Sequence, residues 1–111
     1  TNLKGDARII PLLQKMAKDG KYICAICAAP AVLAEAGLLK GKTATSYPGF
    51  VDRMNLPGTT FSNDPVVKDG RVITSRGPGT AMDFSLELIE TLAGRARRDE
   101  VEAGLQRPGK Y

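Results

Sequence analysis

The stretch Lys21-Tyr22-Ile23-Cys24-Ala25-Ile26-Cys27-Ala28-Ala29-Pro30 constrains this chain more than any other. A largely apolar run with no polar alternation stops at a cysteine, and small residues follow it. A run without alternation suits a central strand of a parallel sheet covered on both faces by helices. Beyond it, Ala31-Val32-Leu33-Ala34-Glu35-Ala36 has helix-forming composition, Pro30 is tolerated in a first helical turn, and Gly37 supplies a stop. The expected unit is a buried strand over residues 22–26, a sharp turn at Cys27, and a helix. That layout presents a thiol.

The flanking segments supply the layers. Asp6 is placed to cap a helix over residues 7–19, with Ile9, Leu12, Leu13, Met16 and Ala17 facing inward and Gly20 as the stop. Residues 42–46 read as a short strand. Tyr47-Pro48-Gly49 opens a loop that leads to a helical turn near residues 51–54, and residues 56–64 read as irregular. An Asp69-Gly70 turn between two β-branched runs signals a hairpin over residues 65–74. After the tight loop Ser75-Arg76-Gly77-Pro78-Gly79-Thr80, the pattern Thr80-x-x-Asp83 caps a helix over residues 81–93. Its core stripe is expected to be Ala81, Phe84, Leu88, Ile89 and Leu92, and residues 98–105 form a terminal helix. This order describes one α/β domain over residues 1–111, a sandwich with a mostly parallel sheet. Two strands and a hairpin are fewer than an open α/β sheet normally has, so an apolar edge is expected to await a partner segment. A sequence that starts at Thr1, almost directly in a helix, points the same way, toward a processed or trimmed piece.

Composition narrows the chemistry. None of the 111 residues is histidine, so no imidazole base can come from them. The formal charge of +4 arises from 16 basic against 12 acidic residues, and the densest basic cluster, Arg95 to Arg98, runs straight into Asp99 and Glu100. A mixed cluster is a solvated helix end, and 5% aromatic residues offer no stacking platform, so nucleic acid is not expected as a partner. No run reaches the length of a membrane span and no basic-then-apolar leader opens the sequence, so a cytoplasmic protein with no membrane partner is expected.

Cys27 admits two readings from the residues alone. At the N-terminal end of a helix a cysteine meets unpaired backbone donors that favour the thiolate, and Ala25, Ala28 and Ala29 permit the close packing of a nucleophile elbow. The Ala28 amide would then face an oxyanion. Equally, free cysteine is among the most buried residue types. Cys24 and Cys27 spell C-x-x-C, but three extended residues span about 10 Å against a limit of roughly 7 Å between disulfide-bonded α-carbons. Zinc would need further cysteine or histidine ligands that do not exist here, so no metal is expected and Cys24 is assigned to core packing. Thr1 could act as a terminal nucleophile, yet no oxyanion element accompanies it. The loop 75–80 could bind an anion through its amides but lacks the Lys-Ser/Thr ending of a P-loop, and reads as a turn.

Four motifs in order carry a resemblance: Ala25-Ile26-Cys27-Ala28-Ala29-Pro30, Thr45-Ser46-Tyr47-Pro48, Lys68-Asp69-Gly70, and Thr74-Ser75-Arg76-Gly77-Pro78-Gly79-Thr80. Together they resemble the ThiJ/PfpI superfamily, on its parkinsonism-associated deglycase branch, and Thr1-Asn2-Leu3 is similar to the segment after that family's Gly-Gly loop. The resemblance implies the C-terminal portion of a flavodoxin-like three-layer sandwich, dimeric when complete and without cofactor. It implies Cys27 as the catalytic thiol, Ala28 as the oxyanion donor, and Tyr47, Pro48, Arg76 and Gly77 around the pocket. It also implies that the first strands, a glutamic acid that hydrogen-bonds the cysteine, and the Gly-Gly loop come from a separate N-terminal fragment. Tyr47 stands where many relatives have histidine. A phenol with an ordinary pKa near 10 is a poor base, which disfavours a cysteine protease. Two functions follow: a glyoxalase or deglycase acting on a small reactive carbonyl, or a non-enzymatic oxidative-stress sensor or chaperone that uses oxidation of the same cysteine.

Overall fold

A computed structural model describes residues 6–49 and 58–108. In chain order the elements are helix α1 (Ile9–Lys18), strand β1 (Ile23–Ile26), helix α2 (Pro30–Glu35), strands β2 (Thr43–Ala44), β3 (Thr60–Phe61), β4 (Val66–Asp69) and β5 (Val72–Ser75), a short 3-10 turn at Pro78–Thr80, and helices α3 (Ala81–Ala93) and α4 (Arg95–Leu105). One sheet has the order β1-β5-β4, and β2 and β3 form a separate parallel pair. β1 runs parallel to β5 with Ile23 opposite Val72 and Ile26 opposite Ser75, while β4 is antiparallel to β5. The expected hairpin is present, and Gly70 takes the left-handed turn position at φ +61 that its missing side chain makes inexpensive. The helical turn expected near residues 51–54 and the Thr1 nucleophile lie outside the described residues.

β5 is the centre of the fold. All four of its residues are buried, Ile73, Thr74 and Ser75 completely so. The core gathers Ile23, Ala25, Leu33, Leu39, Ala44 and Val72, with Leu13, Ala17 and Phe61 packed against it. Two polar contacts cross this core: Thr74 Oγ1 accepts the Thr45 N–H at 2.9 Å, and the Asp69 carboxylate accepts the Thr43 N–H at 2.7 Å. These two bonds fasten β2 across the β4-β5 hairpin, although no backbone ladder joins them.

Several expectations need correction. β1 is hydrogen-bonded to a strand on one edge only among the described residues, and its burial alternates, with Ile23 and Ala25 buried but Cys24 exposed. Cys24 is therefore not core packing: the period-2 alternation of a strand sends it to the face opposite Ile23 and Ala25, where the residue stays exposed. Residues 56–64 are not uniformly irregular, since Thr60 and Phe61 pair with Thr43 and Ala44. On α1, Leu12 and Met16 of the expected inward face remain 51% and 37% exposed. Asp6 precedes the cap position, and its carboxylate holds both the Arg8 N–H (2.9 Å) and the Arg8 guanidinium (2.8 Å). That guanidinium, and then the Arg8 amide, lower the Asp6 pKa.

The third helix is rotated from its expected phase. Leu86 is its one fully buried residue and Leu92 is 71% exposed, with Ala81, Phe84, Leu88 and Ile89 only half-buried. Its expected cap is also replaced: the Thr80 hydroxyl turns back to Gly77 instead of forward to Asp83, and Asp83 pairs with Arg107 at 2.8 Å. α4 starts at Arg95, not Arg98, and its arginines serve α3: Arg98 reaches Glu87 and Glu90, and Arg95 reaches Glu90 and Asp99. The basic cluster is thus matched by carboxylates along the α3-α4 seam.

Candidate active site

The apolar run ends where it has to turn sharply. Cys27 adopts φ +64, one of two non-glycine residues with positive φ among those described, a conformation that crowds the β-carbon of an ordinary residue. Hydrogen bonds hold it on both sides. Its N–H donates to the Ser75 carbonyl at 3.0 Å, continuing the β1-β5 ladder by one step, and its carbonyl accepts the Tyr47 N–H at 2.8 Å and the Ser46 hydroxyl at 3.2 Å. The chain then closes on itself through Ala29 N–H to the Ile26 carbonyl, and α2 starts at once with Pro30 in its first turn. This is a strand, strained turn and helix with a cysteine at the apex, the geometry of a nucleophile elbow.

Two consequences follow for the thiol. Cys27 is half-buried and free. The Ala28 N–H, next to the apex in the chain, donates to no described group. Cys24 contrasts with it: its side chain is exposed, yet the atoms around the sulfur displace enough water to raise its pKa above the ordinary thiol value. At neutral pH that favours the unreactive thiol form.

The loop after β5 forms the opposite wall. Ser75 Oγ and Thr80 Oγ1 lie 2.6 Å apart, Thr80 Oγ1 accepts the Gly77 N–H at 3.1 Å, and Ser75 Oγ donates to the Pro65 carbonyl at 2.8 Å. These buried hydroxyls shape residues 75–80 as a rigid corner. Tyr47, Pro48, Arg76 and Gly77, the four expected pocket residues, come together with Pro78, Gly79 and Thr80 around a shallow cavity of about 180 Å³. Gly77 is needed for space, not for backbone freedom: a β-carbon there would lie 3.1 Å from the Tyr47 ring. Cys27 does not line this cavity; it adjoins it through the Tyr47 backbone. The Thr45 hydroxyl, fully buried two residues before Tyr47, has no partner among the described residues; the sequence marked Thr45 only as the first residue of the Thr45-Ser46-Tyr47-Pro48 motif.

Among the described residues no three His, Cys, Asp or Glu side chains cluster as a metal site, and no helix is long and apolar enough to cross a membrane. No described carboxylate hydrogen-bonds the Cys27 thiol.

An α/β fold with a cysteine at such an elbow defines a class, and comparison with known proteins specifies it. The model of the DJ-1/PfpI family matches residues 1–91, and the chain belongs to that family. It is 43% identical over 106 residues to protein dj-1beta of Drosophila melanogaster, covering 95% of this chain and 57% of the relative. A glutathione-independent glyoxalase of Caenorhabditis elegans is 43% identical over 75% of this chain and 44% of its own length. A deglycase of Pyrococcus abyssi is 35% identical over 77% of this chain and 51% of its own length. The crystal structure of Drosophila DJ-1beta superposes with a TM-score of 0.86, covering 94% of this chain and 56% of that one. The structure described as Toxoplasma gondii DJ-1, oxidized, gives 0.83 at 34% identity, covering 95% of this chain and 56% of that one. The chain thus spans about half the length of these relatives and corresponds to their C-terminal part.

Proposed function

We propose that this chain carries the nucleophile of an enzyme of the glyoxalase or deglycase type, acting on small reactive carbonyls. The observation that supports this most is the backbone of Cys27, held at φ +64 beside an unengaged Ala28 amide. For a 2-oxoaldehyde the reading runs as follows. The Cys27 thiolate adds to the aldehyde carbon, and the carbonyl π-electrons move to oxygen, which the Ala28 N–H stabilises while it takes up a proton. A proton then moves from the former aldehyde carbon to the neighbouring carbon through an enediol, while the hydroxyl proton on the former aldehyde oxygen is given up and the neighbouring carbonyl oxygen takes one, giving a thioester of the 2-hydroxy acid. Water hydrolyses it and returns the thiolate. Tyr47 lines the pocket with its phenol as a hydrogen-bond donor.

The proton shuttle is assigned outside residues 1–111, to a glutamic acid in a separate N-terminal segment that completes the sheet along the open edge of β1. A homodimer of the completed unit, in the cytoplasm, is the working assembly. Consumption of methylglyoxal by the protein as purified, compared with Cys27→Ser, tests the enzyme reading: loss of turnover is expected, and equal rates would sink it.

The name of the oxidized Toxoplasma structure favours one further reading for the same thiol, that of an oxidative-stress sensor or chaperone in which Cys27 becomes a sulfinate held by neighbouring amides. Mass spectrometry after mild peroxide separates it. This reading expects oxygen on Cys27 and fails if Cys24 or a methionine is oxidised while Cys27 is not.

A further inference from the structure

The loop after β5 and the elbow before α2 are joined by a closed circuit of contacts. Along the backbone, the Ser75 carbonyl accepts the Cys27 N–H at 3.0 Å, and the Cys27 carbonyl accepts the Tyr47 N–H at 2.8 Å. Through the side chains, Ser75 Oγ lies 2.6 Å from Thr80 Oγ1, and Thr80 Oγ1 accepts the Gly77 N–H at 3.1 Å. Gly77 closes the circuit, abutting the Tyr47 ring so closely that a β-carbon on it would stand 3.1 Å from Cδ2. The Tyr47 ring therefore has two anchors, its own backbone on the elbow and Gly77 on the loop. Ser75 serves both halves, its carbonyl holding Cys27 and its hydroxyl meeting Thr80.

The donors and acceptors assign the protons. The Gly77 carbonyl already accepts the Thr80 N–H at 3.0 Å, so the Thr80 hydroxyl proton serves Ser75 Oγ at 2.6 Å rather than that carbonyl at 3.0 Å. Ser75 Oγ then donates to the Pro65 carbonyl at 2.8 Å. The result is one directed chain, from the Gly77 N–H through the Thr80 and Ser75 hydroxyls to the Pro65 carbonyl, whose members polarise one another. It is shut away from water, with Ser75, Gly77 and Thr80 all buried. Pro78 and Gly79 are exposed, and a loop with two glycines has little stiffness of its own. The hydroxyl chain thus holds Gly77 against the ring. Tyr47 is 45% exposed and lines the cavity, so its ring has room to move once Gly77 does.

We propose, building on Cys27 as the nucleophile for small carbonyls, that Thr80 is a positioning residue of that reaction: its hydroxyl, acting through Gly77, sets where the Tyr47 ring stands in the cavity that adjoins the thiol. Without the hydroxyl the buried Gly77 N–H has no acceptor, and an orphaned buried donor is costly. The loop relieves that cost by shifting until the N–H meets water, and the ring follows. Substrate binding suffers before the chemical step, because Cys27 keeps its backbone bonds to Ser75 and Tyr47.

Thr80→Ala and Thr80→Ser, compared with the wild-type protein as purified, test the proposal by two readouts. One is the aromatic chemical shifts of tyrosine-labelled protein, with the Tyr47 signals assigned through Tyr47→Phe; the other is steady-state turnover of methylglyoxal. Thr80→Ala is expected to move the Tyr47 signals while leaving those of Tyr22, and to raise KM about fivefold with kcat held within about twofold. Thr80→Ser keeps the hydroxyl and should return both readouts to wild-type values. The double variant Ser75→Ala/Thr80→Val replaces both hydroxyls by apolar groups, a change that can be nearly neutral for folding; it should behave as Thr80→Ala does and stands in where that variant does not fold. Tyr47 signals that stay in place without the hydroxyl, a loss of kcat at unchanged KM, or a Thr80→Ser protein that behaves like Thr80→Ala overturns the proposal. Wild-type protein that turns over no methylglyoxal sinks the enzyme reading instead, and there the Tyr47 signals alone decide for or against Thr80.

Discussion

If the elbow is strained, removing the β-carbon of Cys27 should stabilise the protein, and the gain can be worked from the backbone. Cys27 is held at φ +64 by its N–H bond to Ser75 and its carbonyl bonds to Tyr47 and Ser46, so the turn cannot relax without breaking them. A left-handed conformation costs a residue with a β-carbon about 1–2 kcal/mol and costs glycine little. Against this, glycine gives the unfolded chain extra freedom worth about 0.4–1 kcal/mol. Cys27→Gly is therefore expected to be more stable than Cys27→Ala by about 1 kcal/mol, or about 4 °C in Tm for a chain of this size. The comparison cancels the loss of the thiol, since both variants lack it. Urea and thermal unfolding of the two variants side by side are the assay. An alanine variant as stable as the glycine variant, or more so, would refute strain at the elbow.

Other expectations follow from single contacts. Thr74→Val leaves the buried Thr45 N–H without its acceptor and should cost about 1–3 kcal/mol in urea unfolding, whereas Thr45→Val removes a buried hydroxyl that has no described partner and should be neutral or stabilising. Gly77→Ala puts a methyl 3.1 Å from the Tyr47 ring and should displace that ring, raising KM for methylglyoxal more than it lowers kcat. Because water loss raises the Cys24 pKa, its alkylation by iodoacetamide should be suppressed at neutral pH and rise as pH passes above the ordinary thiol range; a rate at neutral pH equal to that of an unstructured cysteine peptide would contradict this.

Much of the site was legible in the residues because its signals are local. The apolar run that stops at Cys27, the small residues after it and Pro30 are enough to require a strand, turn and helix, and Asp69-Gly70 is enough to require the hairpin. Tyr47 and Arg76 could be grouped only through the family resemblance, since 29 positions separate them and no periodicity links them. The failures share one cause. An unalternating run says that a strand has two apolar faces, not that both are covered, so Cys24 was misplaced. The apolar residues of α3 fit more than one stripe, and only the packing of β5 on one side and α4 on the other selects Leu86. Gly77 and Asp83 lie equally far from Thr80 in sequence, so the cap rule could not choose between them; the Thr80 hydroxyl turns back to Gly77 while Asp83 is taken by Arg107. Two-residue strands such as β3 have no pattern to read, because they exist only through the strand they pair with.

The central claim is that Cys27, not Cys24, is the reacting group. It is tested most directly by alkylating the protein at neutral pH with less than one equivalent of iodoacetamide, and following both methylglyoxal turnover and the modified fraction of each cysteine by peptide mass spectrometry. The account predicts that activity falls in proportion to alkylated Cys27 and extrapolates to zero when that one site is filled, with Cys24 largely unmodified. Turnover that survives complete alkylation of Cys27, or that declines in step with Cys24 instead, would contradict it.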